Sequence, residues 1–555
     1  MELDKKFDHR LDRGLDRRDF LKGSVAIGGL TALAGLAACA PSDGNDANLD
    51  GDAQLQAPEA SFETPPEPIA DSAITETVEA DVVVVGSGDA GIMAALAAVE
   101  TGARVVMIDK HEFFMAHGLA NACINTKIHK EAGITLDPQK IISYLIEQSG
   151  NQANQQLLWL WANKSGEVYD HLLELVSDKG ITAIPMGSSN PDDVMYPEFD
   201  AALLFVGDTE YEMDEAIGHS PQTVLLGAIV DKIQSEGCTA YYQTTAEQLV
   251  RNPDGRVDAV IARTASGDYT KFTAAKAVVL ATGDYGNNPE MVEKWCPWAA
   301  LADVNLYAPP INTGDGHKMA LWIGAGMQLE PHCPALHPNT GPSGDPPFSA
   351  SPVLRVNALG ERYENEEMPA PYVCTSRIRQ PENKAWAIVD ANYAEDAPRG
   401  SAGLLRTTAV DDAGRELLES VALKADSIPA LASAMGVPAD TLEKTVARYT
   451  ELAKAGRDED FGKSPNNLWA IEQAPFYAIP VPVGFMNTLG GLRINTNMQV
   501  LDNTESAQPI PGLYAAGNVS GGLYGTVYPS AVSGINKGWS VTGGYLAGQH
   551  AANDN

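Results

Sequence analysis

What most constrains this chain is a six-residue loop, Gly86-Ser87-Gly88-Asp89-Ala90-Gly91, set between two runs of opposite character. Before it stands Asp81-Val82-Val83-Val84-Val85, a β-branched run that predicts a buried strand. After it comes an alanine-rich stretch to about Thr101 that predicts a helix, and Arg104 to Ile108 predicts a second strand. Strand, tight turn, helix and strand in this order make a dinucleotide-binding βαβ unit. Gly86, Gly88 and Gly91, with the small Ala90, allow a tight turn and close backbone approach, and the helix start faces a pyrophosphate. Asp109 lies 23 residues after Gly86, at the end of the second strand, where its carboxylate accepts hydrogen bonds from a ribose.

The N-terminus reads as an address rather than as part of the fold. Asp16-Arg17-Arg18-Asp19-Phe20-Leu21-Lys22 precedes an uncharged run from Gly23 to Ala38, shorter than the roughly 20 apolar residues of a spanning helix. The pattern resembles a twin-arginine export signal, a class serving proteins exported already folded. Leu36-Ala37-Ala38-Cys39 resembles a bacterial lipobox, which makes residues 1–39 an export signal with lipidation at Cys39 as the expected membrane anchor. The expected location is the periplasm or the outer face of the cell membrane. Residues 40–75 carry eight acidic residues and no Lys or Arg, which predicts a disordered, self-repelling tether.

Charge and cysteine usage narrow the function classes. A net charge of −35 disfavours nucleic acid or any other polyanion as a partner. The six cysteines form no C-x-x-C pair and no C-x-x-C-H haem site, so no zinc ribbon, cluster-binding run or built-in cytochrome is indicated and no metal is expected. The five that follow Cys39 are an odd number, so buried single thiols are expected rather than a disulfide framework.

The choice between NAD and FAD, which share the glycine fingerprint, rests on later segments. Ala277 to Leu280 and Gly512 to Ala516 predict two further buried strands, so one sheet is built from both ends of the chain. Ala281-Thr282-Gly283-Asp284, Asn312-Thr313-Gly314-Asp315-Gly316 and Pro511-Gly512-Leu513-Tyr514-Ala515-Ala516-Gly517-Asn518 resemble motifs of the fumarate reductase and succinate dehydrogenase flavoprotein superfamily. The resemblance covers most of residues 78 to 550 and implies FAD as cofactor. It implies an α/β fold, a Rossmann-like FAD-binding domain (76–330 and 487–555) with an inserted α+β substrate-capping domain (331–486). Carried over position by position, it implicates Asp109, Lys110, His117, Gly118, Ala122, Cys123, Asp315, Asn487, Gly517, Asn518 and Ser533 in flavin contact, His117 and Cys123 through side chain or backbone. No second glycine-rich nucleotide box is evident, which argues against direct use of NAD(P)H by a dedicated domain.

The substrate side departs from the fumarate reductase pattern. Gly360-Glu361-Arg362-Tyr363-Glu364-Asn365-Glu366 matches the family, yet its continuation puts Ala370 where the proton-donating Arg would stand. Met486 and Asn487 occupy the place of a substrate-binding His, and Tyr528 that of a late Arg, while His337-Pro338 keeps the family's HP signature. A dianionic substrate in a partly dry pocket needs paired cations, so fumarate is not the expected substrate. Arg377 and Arg379 are the candidates for restoring one cation for an acrylate-type acid. Tyr528-Pro529 also resembles the YP motif of 3-ketosteroid dehydrogenases, which implies a Tyr528 hydroxyl that polarises a substrate carbonyl, with Tyr372 and His337 as candidate proton donors. The expected activity is reduction of an unsaturated carbonyl compound, with electrons from a separate carrier, a cytochrome or a quinol-linked protein. The reverse desaturation of a ketone, and a non-catalytic electron-transfer lipoprotein, are the alternatives.

Overall fold

A computed structural model describes residues 60–555 except 116–117, 119, 187–195, 208–220, 307–310, 339–345, 397–410, 530 and 555. The export signal, Cys39 and residues 40–59 of the expected tether lie outside the described residues, as does His117.

Strand β1 (Ile74–Val85), helix α1 (Asp89–Glu100) and strand β2 (Val105–Ile108) form the expected βαβ unit. Val82 to Val85 and all of β2 are buried, as continuous apolar runs covered on both faces must be. Strand β3 (Thr239–Tyr241) extends the sheet beyond β2, and β4 (Tyr269–Leu280) pairs parallel with β1 on the other side. Strand β7 (Pro509–Ala515), from the far end of the chain, pairs parallel with β4. Both ends of the chain therefore meet in one sheet, with an antiparallel hairpin, Thr245–Arg251 and Val257–Arg263, attached to β4. The C-terminal helix α2 (Ile535–Ala552) packs on α1, and its Gly544 and Gly548 leave space for the Ala90 and Ala94 carbonyls.

Between β4 and β7 the chain builds two further sheets. A small one holds β5 (Pro334–His337) antiparallel to β6 (Gly484–Thr488), with Ala335 opposite Asn487 and His337 opposite Gly484. A four-stranded antiparallel sheet joins Leu354–Asn357, Ala385–Val389, Phe476–Pro480 and Leu423–Ala425, over helices Ile428–Met435 and Ala439–Ala455. The family-like segment 360–366 serves this region structurally. Arg362 bonds Glu366 at 2.8 Å and Asp458 at 2.7 Å, Lys463 meets Glu366 at 3.1 Å, and Glu366, Asp458 and Lys463 are buried. Such pairs hold because each charge is met, and removing one partner leaves another charge buried alone.

The tether expectation needs correction for residues 60–75. Phe62 is buried with its ring 4.8 Å from that of Trp295, Trp322 donates to the Phe62 carbonyl at 2.9 Å, and Glu63 pairs with Lys294 at 2.6 Å. One aromatic anchor outweighs an acidic composition averaged over 36 positions. The cysteine expectation is met: Cys123, Cys238, Cys296, Cys333 and Cys374 are buried, and none of them forms a disulfide. No helix of the described residues is long and apolar enough to cross a membrane.

Candidate active site

The C-terminal ends of β1, β2 and β4 open onto a cavity of about 440 Å³, the place where open α/β sheets bind ligands. The glycines of the first turn divide the work. Gly86 has φ +105°, and a Cβ there would lie 2.3 Å from the Ala281 carbonyl oxygen. Gly91 does not line the cavity; a Cβ on it would lie 1.9 Å from the Gly86 oxygen, so its bareness lets helix and loop touch. Gly88 lines the cavity, and a Cβ on it would meet nothing nearer than the Met115 oxygen at 3.9 Å. That open space beside a helix start whose cap residue makes no side-chain bond leaves first-turn N–H groups for an anion. Asp109 is held ready, accepting from Ser87 N at 2.6 Å, Ser87 Oγ at 2.8 Å and His111 N at 2.8 Å.

Ala90, Lys110, Gly118, Asp315, Asn487, Gly517, Asn518 and Ser533 join them on the wall. Lys110 pairs with Asp315 at 2.7 Å and Lys318 with Asp315 at 2.9 Å. Burial pushes the Asp315 carboxyl up, but the two ammonium groups outweigh it and hold it below the usual range. Ala122 and Cys123 are not on the wall. The Ala122 carbonyl accepts from Trp161 Nε1 at 3.3 Å and faces Gly538, where a Cβ would lie 1.9 Å away, so strand and helix fill the space a ligand would need. Cys123 is fully buried, and burial pushes its thiol well above the usual range, which makes it inert.

Tyr528 and His337 line the same cavity as the glycine loop. Burial raises the Tyr528 phenol, so it stays protonated, and its oxygen accepts from Asn536 N at 3.5 Å, leaving its own hydrogen to donate. Burial lowers His337 to about 4, so the imidazole is neutral at pH 7. Tyr372 is not on the wall, and burial, with the adjacent Tyr144 hydroxyl, raises its pKa.

Comparison with known proteins accounts for this arrangement. A family model described as an FAD binding domain matches residues 81–535. The chain belongs to that family. Its cofactor is FAD, and it is an FAD-dependent oxidoreductase. The chain is 28% identical to the vinyl phenol reductase of Lactiplantibacillus plantarum over 85% of this chain and 96% of that one. A flavocytochrome c3 fumarate reductase structure superposes with a TM-score of 0.62 at 27% identity, covering 87% of this chain and 79% of that one. A 3-ketosteroid-Δ4-(5α)-dehydrogenase of Rhodococcus jostii superposes with a TM-score of 0.69 at 24% identity, covering 87% and 99%, and shares the fold.

Within this FAD-binding frame the cavity as a whole is poor in cations. Among the described residues no arginine lines it, and its two lysines, Lys110 and Lys537, are each paired with an aspartate. Arg377 pairs with Asp303 at 2.8 Å, and Arg379 is exposed, so neither restores the expected cation there. Met486 is 41% exposed and lines the cavity with Leu306 and Ile311, giving an apolar rim. Sequence reasoning passed over Lys537 and Asn536, both on the wall. Lys537 had a signal, being the one charged residue between Ala507 and Gln549.

Proposed function

We propose that this chain is a reductase of the activated carbon-carbon double bond in a neutral, enone-type substrate. The observation that carries the reading is the shared cavity, in which a protonated Tyr528 and a neutral His337 face the FAD loop and no unpaired cation is found among the described residues. A dicarboxylate entering such a wall loses its hydration without gaining a partner, at a cost of several kcal/mol per ion. A neutral carbonyl compound avoids that cost and suits the apolar rim of Met486, Leu306 and Ile311.

When bound, FAD supplies the hydride for the β-carbon. Tyr528 donates its hydroxyl hydrogen to the substrate carbonyl, where negative charge gathers as the hydride arrives. Neutral His337 donates its ring N–H to the same oxygen and fixes its direction. As the enolate collapses, the proton that Tyr528 holds against the carbonyl oxygen passes to the α-carbon, since a buried phenol, even with its pKa raised, is a stronger acid than the carbon beside a ketone, and the phenolate left behind regains a proton from solvent before the next turnover. Met115, Leu306 and Met486 keep water from the reacting carbons.

The vinyl phenol reductase and the fumarate reductase that this chain resembles both carry names of enzymes that saturate a double bond, which supports the direction chosen here. We read the electron donor as a separate carrier, and residues 1–39 as an export signal that ends in a lipidated Cys39. The test is steady-state turnover of the purified holoprotein with reduced viologen and a cyclic enone. The expected product is the saturated ketone, heavier by one hydride and one proton in mass spectrometry. Unchanged enone beside continuous oxidation of the saturated ketone by a dye acceptor would make the chain a desaturase.

A further inference from the structure

The start of α1 carries a residue that is wrong for its place until its neighbour is considered. Asp89 is the first residue of the helix whose N–H groups face the FAD pyrophosphate, and it lines the same cavity. A carboxylate there repels a dianionic pyrophosphate, and at a few ångströms in a poorly hydrated site that repulsion amounts to several kcal/mol at an effective dielectric of about 20. Lys537, in the first turn of α2 and buried, lies astride that carboxylate, with Nζ 3.1 Å from Oδ1 and 3.0 Å from Oδ2.

A chain of buried amides and a phenol holds the pair in place. Gln222 Nε2 donates to Asp89 Oδ1 at 2.8 Å, Asn121 Nδ2 donates to Gln222 Oε1 at 2.8 Å, and Tyr169 donates its hydroxyl to Asn121 Oδ1 at 2.9 Å. Asp89 is thus fixed from behind, and Lys537 is fixed by Asp89. An ammonium group has three N–H donors. Two suffice for the carboxylate, and Lys537 also lines the cavity beside Gly88 and Gly118.

We propose that Lys537 is a ligand of the FAD pyrophosphate, cancelling the Asp89 charge and directing its remaining N–H at a phosphoryl oxygen. Asp89 is the positioning residue that aims it. The pairing makes two predictions that an ordinary structural ion pair does not. Removing the lysine exposes the phosphates to an unpaired carboxylate, and removing both charges cancels most of that harm.

The experiment strips the holoprotein of flavin and titrates it with FAD, ADP and riboflavin, following protein fluorescence or heat. Lys537→Met should weaken FAD and ADP roughly 10- to 100-fold, the loss of a charge-assisted bond, and leave riboflavin unchanged. Asp89→Asn alone, which keeps the Oδ1 acceptor that aims Lys537 and removes only the charge, should tighten FAD, and the double variant should bind better than Lys537→Met. Unchanged FAD affinity in Lys537→Met overturns the proposal, as does an equal loss of riboflavin, or a double variant no better than the single one. If Lys537→Met does not fold, Asp89→Asn decides: tighter binding supports the assignment, and binding no tighter than that of the unaltered protein overturns it.

Discussion

Replacing Tyr528 by Phe removes one oxygen from the cavity and almost nothing from the fold. The phenol oxygen accepts one long bond, 3.5 Å from Asn536 N, and the ring keeps its edge-to-face contact with Tyr524 at 5.9 Å between centroids. The stability cost is therefore about 1 kcal/mol or less, that of one weak hydrogen bond. The catalytic cost is larger, because the hydroxyl is aimed where charge appears only as the hydride moves. Losing one such donor costs about 2.7–4 kcal/mol, or roughly 100- to 1,000-fold in rate. The assay is anaerobic stopped flow: flavin reduced in the bound state is mixed with a cyclic enone and its reoxidation followed, with flavin content and melting temperature measured on the same sample. Reoxidation slowed by less than about tenfold, with FAD fully bound, would refute the carbonyl-polarising role.

Three further outcomes follow from the buried groups and the loop. His337 lies at about 4, below its ordinary range, so the rate of flavin reoxidation by an enone should show no inflection near pH 6.5; a step there would mean that this imidazole titrates in the cavity. His317 at about 3 and His332 at about 4 are both depressed by burial, so their contribution to stability is present above the unfolded value of 6.5 and is lost as pH falls toward 4. For His332 the full loss is about 3 kcal/mol, and a melting temperature that does not fall between pH 6.5 and 4 would contradict the burial. Gly91→Ala should prevent folding or expel FAD, because its Cβ would lie 1.9 Å from the Gly86 oxygen, whereas Gly88→Ala should fold and bind FAD more weakly; the reverse order in thermal melts and FAD titrations would misassign the two glycines.

The parallel sheet was legible because its strands are continuous apolar runs and its first turn needs glycine where no other residue fits. Val82 to Val85, Val278 to Leu280 and Leu513 to Ala515 lie side by side as their patterns require. The start of β1 at Ile74 was hidden because Ile74 to Glu79 are mostly exposed polar residues without a strand's alternation, so that only the pairing with Tyr269 to Thr273 defines it. Asp109 and Gly88, whose parts are local to the first βαβ unit, stand on the cavity wall. Ala122 and Cys123 stand off it, and the space beside Ala122 is closed by Gly538, which lies more than 400 residues away in the chain. Lys537 was missed for the same reason: its meaning lies in a 3.0 Å contact with Asp89 across 448 positions.

The central claim is that the cavity passes a hydride to a neutral enone and turns away a dicarboxylate. The direct measurement is a single turnover in which the holoprotein, reduced with dithionite and freed of excess reductant, is mixed without oxygen with a cyclic enone or with fumarate. Fast reoxidation of the flavin by the enone and none by fumarate above the protein-free rate is the predicted result. Rapid reoxidation by fumarate would contradict the account, because it would require a pair of cations that the described wall does not offer.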